Sequence, residues 1–366
     1  MTTAQNAALS ETRLASDRLR PVRLWLYGMA AFVLLMVVVG GITRLTESGL
    51  SITSWKPISG TLPPLNDVQW QAEFDAYKQI PQYKVNNSWM LLDDFKYIFF
   101  WEYLHRLLGR VLGVLFAVPF LVFLVQRRFT PQLAWPLFGL FILGGFQGAL
   151  GWWMVSSGLT ELTSVSQYRL AAHLTAASLL FIALVYVPRS LEPGRVTGFV
   201  TGQNLASATI LLVLIIMQIG TGAFVAGLDA GMGYNTWPLM DGALVPDGLG
   251  AMQPVWRNLF ENNLTVQFIH RTVAYLITAY VAVLLWQQSR SGGFAGVHGW
   301  LPRLAILVLL QVVLGIMTLL HSVPISLAVG HQALALMLGG VTMAYIADMR
   351  RSSPRPLGER SARSAG

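Results

Sequence analysis

One stretch of this chain places acid, base and cation inside a run of apolar residues. Phe99 to Val125 reads FFWEYLHRLLGRVLGVLFAVPFLVFLV and carries Glu102, His105, Arg106 and Arg110 in its first half. Glu102 lies three residues from His105 and four from Arg106, so in a helix all three share one face. Ionisable groups at membrane depth cost about 2.5–3.5 kcal/mol each on insertion scales, and such a cost marks function. A second run holds Gln267-Phe-Ile-His270-Arg271, and two further histidines, His173 and His331, lie in other apolar runs. Imidazoles of this kind bind metal, and a neighbouring carboxylate can move protons or stabilise positive charge.

The elements that must position these groups are membrane spans. Of the 366 residues 54% are hydrophobic and 11% charged, and several apolar runs exceed 18 residues. The expectation is an all-α polytopic membrane protein with eight transmembrane helices at 24–43, 99–125, 134–155, 167–188, 206–227, 265–287, 301–320 and 326–347. The first 23 residues are polar, with no short apolar run before a small-residue cleavage site, so the first run reads as a retained span. The net charge of +8 sits at helix ends and in the tails rather than in a groove, which excludes a nucleic-acid footprint. Arg13, Arg18, Arg20 and Arg23, then Arg127 and Arg128, Arg189 and Arg195, Arg290 and Arg303, and the C-terminal arginines from Arg350 onward all fall on one side. Both termini are therefore expected in the cytoplasm. Two long loops, 44–98 and 228–264, lie on the opposite side. Within the first, 66–79 reads as a short amphipathic helix that Asn66 or Asp67 can cap, with Trp70, Phe74 and Tyr77 on one face. A place on the outer membrane surface and a solvated loop helix suit it equally. The tail 348–366 is expected to be disordered. With no cysteine, disulfides, thiolate metal sites and covalent haem attachment are excluded.

The second half of the chain echoes the first. Glu102-Tyr-Leu-His105-Arg106 matches Gln267-Phe-Ile-His270-Arg271, and Gln147-Gly-Ala-Leu-Gly151 matches Gln311-Val-Val-Leu-Gly315. His173 matches His331, and Trp55-Lys-Pro57 with Leu62-Pro63 matches Trp237-Pro238 with Leu244-Val-Pro246. Four spans per repeat make the repeat parallel, with 24–195 and 196–347 as two tandem four-helix bundles between the tails 1–23 and 348–366. His105, His173, His270 and His331 each enter their span five to seven residues from the outer side, which puts them in one layer about 8–10 Å deep. His321 ends the seventh span without a partner, and His298 is expected on the surface of a cytoplasmic loop. Two imidazoles per bundle, on opposite helices at one depth, suit a haem ligated from both faces. Zinc takes three or four protein ligands in a tighter cluster. Arg106 and Arg271 could neutralise haem propionates. The halves differ at one point: Glu102 can titrate and Gln267 cannot, which marks the first half as the reaction site and the second as a fixed cofactor site. Glu102 could instead serve only to neutralise Arg106 or Arg110. Arg110 has no arginine opposite it, Ala274 being taken as its counterpart, and its role is open.

With these residues the chain resembles the haem A synthases. The resemblance covers about 24–347 and rests on Glu102-Tyr-Leu-His105-Arg106, His173, Phe268-Ile-His270-Arg271, Gly330-His331-Gln332 and the string Gly40-Gly-Ile-Thr-Arg44-Leu-Thr-Glu-Ser-Gly-Leu50-Ser. The absent cysteine pair and the long first loop look like the proteobacterial and mitochondrial branch. The resemblance implies an oxidoreductase that converts the C8 methyl of haem O to a formyl group by successive hydroxylation and loss of water. It implies that His270 and His331 ligate a haem b cofactor, that His105 and His173 address the substrate haem, and that Glu102 is the catalytic carboxylate. It also implies haem O synthase and cytochrome oxidase assembly factors as partners, in a lipid bilayer, with the oligomeric state unspecified. Two other readings compete. One is a non-catalytic di-haem b cytochrome in quinol-linked electron transfer, which would more naturally keep two equivalent sites. The other is a repeat-built transporter, whose broken midplane helices are not evident here.

Overall fold

The computed structural model describes residues 3–352 apart from 57, 161, 195, 199 and 292, with side chains from residue 18 onward. Arg195 and the arginines of the C-terminal tail beyond 352, which entered the orientation argument, lie outside the described residues. Among the described residues the chain is helical, with no strand beyond two isolated bridges. Ten helices follow one another: α1 Thr3–Leu45, α2 Asp67–Tyr77, α3 Leu92–Val125, α4 Pro131–Thr160, α5 Gln167–Ser190, α6 Gly202–Gly227, α7 Asn258–Glu261, α8 Asn263–Ser291, α9 Trp300–Leu320 and α10 Ile325–Arg351. All but α2 and α7 are long and apolar enough to cross a membrane, eight in all, as the hydropathy pattern predicts.

Helix α3 starts seven residues before the expected 99 because its first turn is built to start there. The Leu91 N–H donates to Asp94 Oδ2 at 2.9 Å, and Asp93 and Asp94 place negative charge at the helix's positive end. At 34 residues α3 is about 51 Å long, well over the hydrocarbon thickness of about 30 Å. Its N-terminal end is therefore longer than a span requires and serves as a wall for the first long loop. Helix α2 packs on that wall. Asn66 Oδ1 accepts from the Gln69 N–H at 3.0 Å, so the first of the two expected caps is the one used. Trp70 meets Phe99 at 5.0 Å between ring centres, Phe74 meets Phe95 at 5.1 Å, and Tyr77 meets Phe95 at 5.3 Å. The aromatic face that suggested a membrane-surface helix is thus taken up by protein. Burial pushes the Tyr77 hydroxyl up to about 12, so it remains a donor to Gln82 Oε1.

The eight long helices close two rings. Helix α1 packs on α3 and α5, and α4 bridges α3 and α5. Helix α6 packs on α8 and α10, and α9 bridges α8 and α10. The rings meet along α5 with α6, α5 with α10, and α1 with α10. At the α5–α10 seam a Cβ on Gly340 would lie 2.6 Å from Phe181 Cε1, so glycine is what allows this approach.

At the arginine-rich end the seam is tied by charge. Asp348 is buried at 2% exposure and accepts from Arg189 Nε at 2.8 Å and Nη2 at 2.7 Å, from Trp300 Nε1 at 3.0 Å and from Arg351 Nη1 at 3.1 Å. This corrects the expected tail boundary. Residues 348–351 are the last turn of α10, because Asp348 needs the helix to reach its four donors, and the rest of the tail from 353 lies outside the described residues. Removing one member of a buried ion pair costs about 3–5 kcal/mol. Asp348→Ala is therefore expected to lower the thermal unfolding midpoint in detergent sharply, while Asp93→Ala, whose Lys96 pair is exposed, leaves it nearly unchanged. Equal midpoints for the two variants would contradict the seam's dependence on Asp348.

Candidate functional site

The residues that opened the analysis form two clamps of the same design. In the first, the buried Glu102 accepts through Oε2 from the Ser51 hydroxyl at 2.8 Å and the Ile52 N–H at 2.7 Å. Through Oε1 it accepts from Arg106 Nε at 3.1 Å and Nη2 at 2.6 Å. Arg106 then donates onward to the carbonyls of Ile52 at 2.8 Å and Ser54 at 3.0 Å. In the second, the buried Gln267 donates to the carbonyls of Ala230 at 2.7 Å and Gly233 at 2.8 Å and accepts from Arg271 at 2.8 Å. Arg271 donates to the carbonyls of Tyr234 at 2.6 Å and Thr236 at 2.8 Å. Each clamp pins the outer loop onto the helix that carries a histidine. The guanidiniums assigned to propionates from sequence are here bound to backbone carbonyls, a use for which the sequence carries no signal. The register that matches His105 to His270 puts Tyr275, not Ala274, opposite Arg110. Arg110 donates to the Lys56 carbonyl at 2.9 Å, and the Tyr275 hydroxyl accepts from Trp237 Nε1 at 3.1 Å, so both positions meet the Trp-Pro part of their loop.

Each of the four histidines sits in a notch made by a glycine on the preceding long helix. A Cβ would lie 3.0 Å from His105 Cε1 if placed on Gly40, 3.3 Å from His173 Cε1 on Gly151, 3.1 Å from His270 Cε1 on Gly222, and 2.8 Å from His331 Cε1 on Gly315. Any larger residue would turn the ring or part the helices. Gly151 and Gly315 stood in the matched sequence strings, and Gly40 in the resemblance, but nothing in the pattern named them as ring seats. Gly222 was missed altogether.

In the second ring the imidazoles of His270 and His331 face each other with centres 6.4 Å apart and planes at 73°. Two metal–imidazole bonds of about 2 Å, plus about 1 Å from each nitrogen to its ring centre, span about 6 Å. The pair therefore fits a metal held between them, and with only two protein ligands that metal suits a haem. Among the described residues no three His, Asp or Glu gather as a zinc centre would need. His105 on α3 and His173 on α5 occupy the corresponding glycine seats in the first ring.

The two pairs differ in their support. His270 Nδ1 lies 2.9 Å from Thr221 Oγ1, and Gln218 Nε2 donates to the His270 carbonyl at 2.9 Å. Gln311 Nε2 lies 3.2 Å from His331 Nδ1 and 3.3 Å from its Nε2, and donates to the His331 carbonyl at 3.0 Å. In the first ring Nδ1 of both His105 and His173 is buried with no hydrogen-bond partner among the described residues. Outer hydrogen bonds fix a ligand ring's orientation, so the second pair is held and the first is left free to adjust. Thr221 and Gln218 carry no sequence flag beyond being polar in an apolar helix.

The remaining histidines lie apart. His321 is exposed, with Nδ1 2.9 Å from the Met317 carbonyl. His298 is buried rather than on the surface, because the turn Gly296–Gly299 folds it against α10 and α6. There it lines a cavity of about 610 Å³ with Asn204, Gln287, Gln288 and Tyr345, and none of the four paired imidazoles lines that cavity.

Residues 23–343 match the family described as cytochrome oxidase assembly protein. The chain belongs to that family. Among similar proteins, one named "Heme A synthase" from Azorhizobium caulinodans is 54% identical over 94% of this chain and 97% of its own length. Proteins of the same name from Parvibaculum lavamentivorans, 54% identical over 88% of this chain and 92% of their own, and from Rhodopseudomonas palustris, 49% identical over 95% of each, span the same region. All four histidines, both clamps and all four glycine seats fall inside the family match.

Overfilling a packed site costs about 1–3 kcal/mol. Gly315→Ala is expected to push the His331 ring out of register and weaken haem binding at the second pair by about 5- to 100-fold. Gly151→Ala should spare that pair and act on the first. Haem content by pyridine haemochrome assay separates the two, and equal haem loss in both variants would count against independent seats.

Proposed function

We propose that this protein is a haem A synthase, an integral membrane oxidoreductase that oxidises the C8 methyl of haem O to a formyl group. The family and the names of its relatives support the activity. The observation that carries the division of labour is the unequal support of the two imidazole pairs. His270 and His331, each with hydrogen-bonding side chains against its ring, would hold a resident haem b. That cofactor supplies a redox-active iron when bound. His105 and His173, with unpartnered Nδ1 atoms, would address haem O, which must enter and leave as haem A. Zinc or another bare metal ion would require further ligands that neither pair has.

Glu102 acts in this reading as the first site's fixed negative group, one helical turn from His105. Its carboxylate is oriented by four donors, so it costs no reorganisation when positive charge develops on the substrate carbon. Arg106 and Arg271 position the outer loops over their sites, as the clamp geometry supports. The two halves, 24–195 and 196–347, are read as a parallel repeat. The separation between Ile52 and Tyr234, and between Ser54 and Thr236, is the same 182 residues, and both pairs of carbonyls take the arginines of their own half. The arginine-rich end, where Arg128 reaches the Arg18 carbonyl and Arg351 the Gly194 carbonyl, faces the cytoplasm, in the inner membrane of a bacterium. A haem O synthase would supply the substrate, and cytochrome oxidase assembly factors would receive the product.

Haem extraction and identification from purified protein tests the reading. Wild type should carry haem b together with haem O or haem A. Glu102→Gln should keep haem b and bound haem O but form no haem A, a loss of at least 100-fold. His331→Ala should lose most of the haem b. Normal haem A output from Glu102→Gln would remove the carboxylate from the reaction, and an unchanged spectrum in His331→Ala would remove that ligand. A wild type holding only haem b, and unable to convert haem O, would favour the di-haem cytochrome.

A further inference from the structure

The four seating glycines each have a side chain one turn away on the same helix face, four residues earlier: Met36, Gln147, Gln218 and Gln311. Three are amides at membrane depth, where an unpaired amide is costly. In the second ring both amide nitrogens are committed, Gln218 to the His270 carbonyl at 2.9 Å and Gln311 to the His331 carbonyl at 3.0 Å, and only the Gln311 oxygen is left without a partner among the described residues. The first ring breaks this pattern at both positions. Met36 brings no strong hydrogen-bonding group. Gln147 has its amide oxygen and its amide nitrogen buried, and neither has a hydrogen-bond partner among the described residues. The first ring thus keeps one uncommitted donor and acceptor, one turn from the glycine that seats His173.

We propose that Gln147 is the specificity-determining polar contact of the first site and that it binds an alcohol hydroxyl on the substrate porphyrin. The proposal rests on the haem A synthase reading above. An amide donates and accepts at once, which is what an alcohol needs to satisfy both its proton and a lone pair. The periphery of haem b carries no alcohol. Haem O carries one on its hydroxyethyl side chain, and the first oxidation installs another on the methyl carbon. A site that holds a buried amide for an alcohol selects against a haem without one, because that haem leaves the amide unpaired. The second ring has already joined both amide nitrogens to its own backbone, so neither amide there is free to donate and accept at once, as befits a resident haem b.

The test uses Gln147→Met, which removes polarity at nearly constant length and copies the residue at position 36. Binding of haem O and of haem b to the first site is titrated by visible absorption in protein whose second site is loaded. Products from haem O are separated by chromatography. A variant that keeps wild-type haem b in the second site is folded; if Gln147→Met does not, Gln147→Asn is read by the same measurements. If the side-chain alcohol is the partner, first-site affinity for haem O falls about tenfold while that for haem b is unchanged. If the installed alcohol is the partner, haem O affinity holds and the hydroxymethyl intermediate is released at the expense of haem A. Either result supports the assignment. Equal weakening of both haems, or wild-type binding with wild-type products, overturns it. A wild-type protein that makes no haem A would instead overturn the functional reading, before any variant is compared.

Discussion

The contact on which the rest of the molecule depends is that of an imidazole edge against a glycine of the preceding long helix. It occurs four times, and it requires that consecutive long helices touch at one level. Glycine sets how closely the backbones approach, and the ring then has a single place to lie. Two of the four helix pairs, α4 with α5 and α9 with α10, are joined by short connections that keep them together by chain continuity, to which α5 adds a bond from Arg169 to the Trp153 carbonyl of α4 at 2.6 Å. The other two, α1 with α3 and α6 with α8, are separated by the long outer loops. Only these carry the arginine clamps. Arg106 and Arg271 tie each loop back to its histidine helix through the carbonyls of the seventh and ninth residues after the preceding long helix. The clamps therefore do for the long-loop pairs what covalent connection does for the short-loop pairs.

The clamps also bear on how the Glu102–Gln267 difference is to be understood. A carboxylate only accepts, and Glu102 meets donors: a hydroxyl, a backbone N–H and a guanidinium. An amide can also donate, and Gln267 meets two backbone carbonyls with its nitrogen while its oxygen serves Arg271. The loops present opposite polarity to the same position, so each side chain matches its own loop. A clamp can evidently be built without a carboxylate, since Arg271 is held by an amide oxygen and two backbone carbonyls. The carboxylate at 102 thus places a fixed negative charge beside only one of the two imidazole pairs, and this difference in field is what a shared scaffold leaves available for chemistry.

Much of this was readable in the chain. Eight apolar runs gave eight long helices because a bilayer leaves the backbone no other open choice. The capped helix at 66–79 followed from Asn66 and the shared face of Trp70, Phe74 and Tyr77. The histidines stood out because imidazole is rare and costly in such helices. The contacts between them were not legible. A glycine in a membrane helix is common, and nothing in sequence separates Gly222 as a ring seat from Gly220 two residues away. The partners of Arg106 are carbonyl oxygens, which every residue has, so sequence could place the guanidinium on a face but not say what it binds. Asp348 looked like the start of a basic tail, and its four donors come from three separate helices. His298 was taken as a loop residue because its loop is short and polar, yet the turn that holds it is folded inward.

The unequal support of the two imidazole pairs follows from what each must do. A resident group gains from rings whose orientation is fixed in advance, since the cost of ordering them is met during folding rather than at binding. Each supporting hydrogen bond contributes about 0.5–1.5 kcal/mol, so the contacts behind His270 and His331 together are worth about one to two orders of magnitude in retention. The same support at a substrate site would hold the product as firmly as the substrate and slow its release. His105 and His173 keep the glycine seats, which set where the rings lie, and lack the bonds that would lock them. Position without rigidity is what turnover requires of a ligand that must let go. A single fold thus supplies both a retained and an exchangeable site by changing the residues behind the ring, Thr221, Gln218 and Gln311 against their first-ring counterparts, while leaving the ring's seat alone.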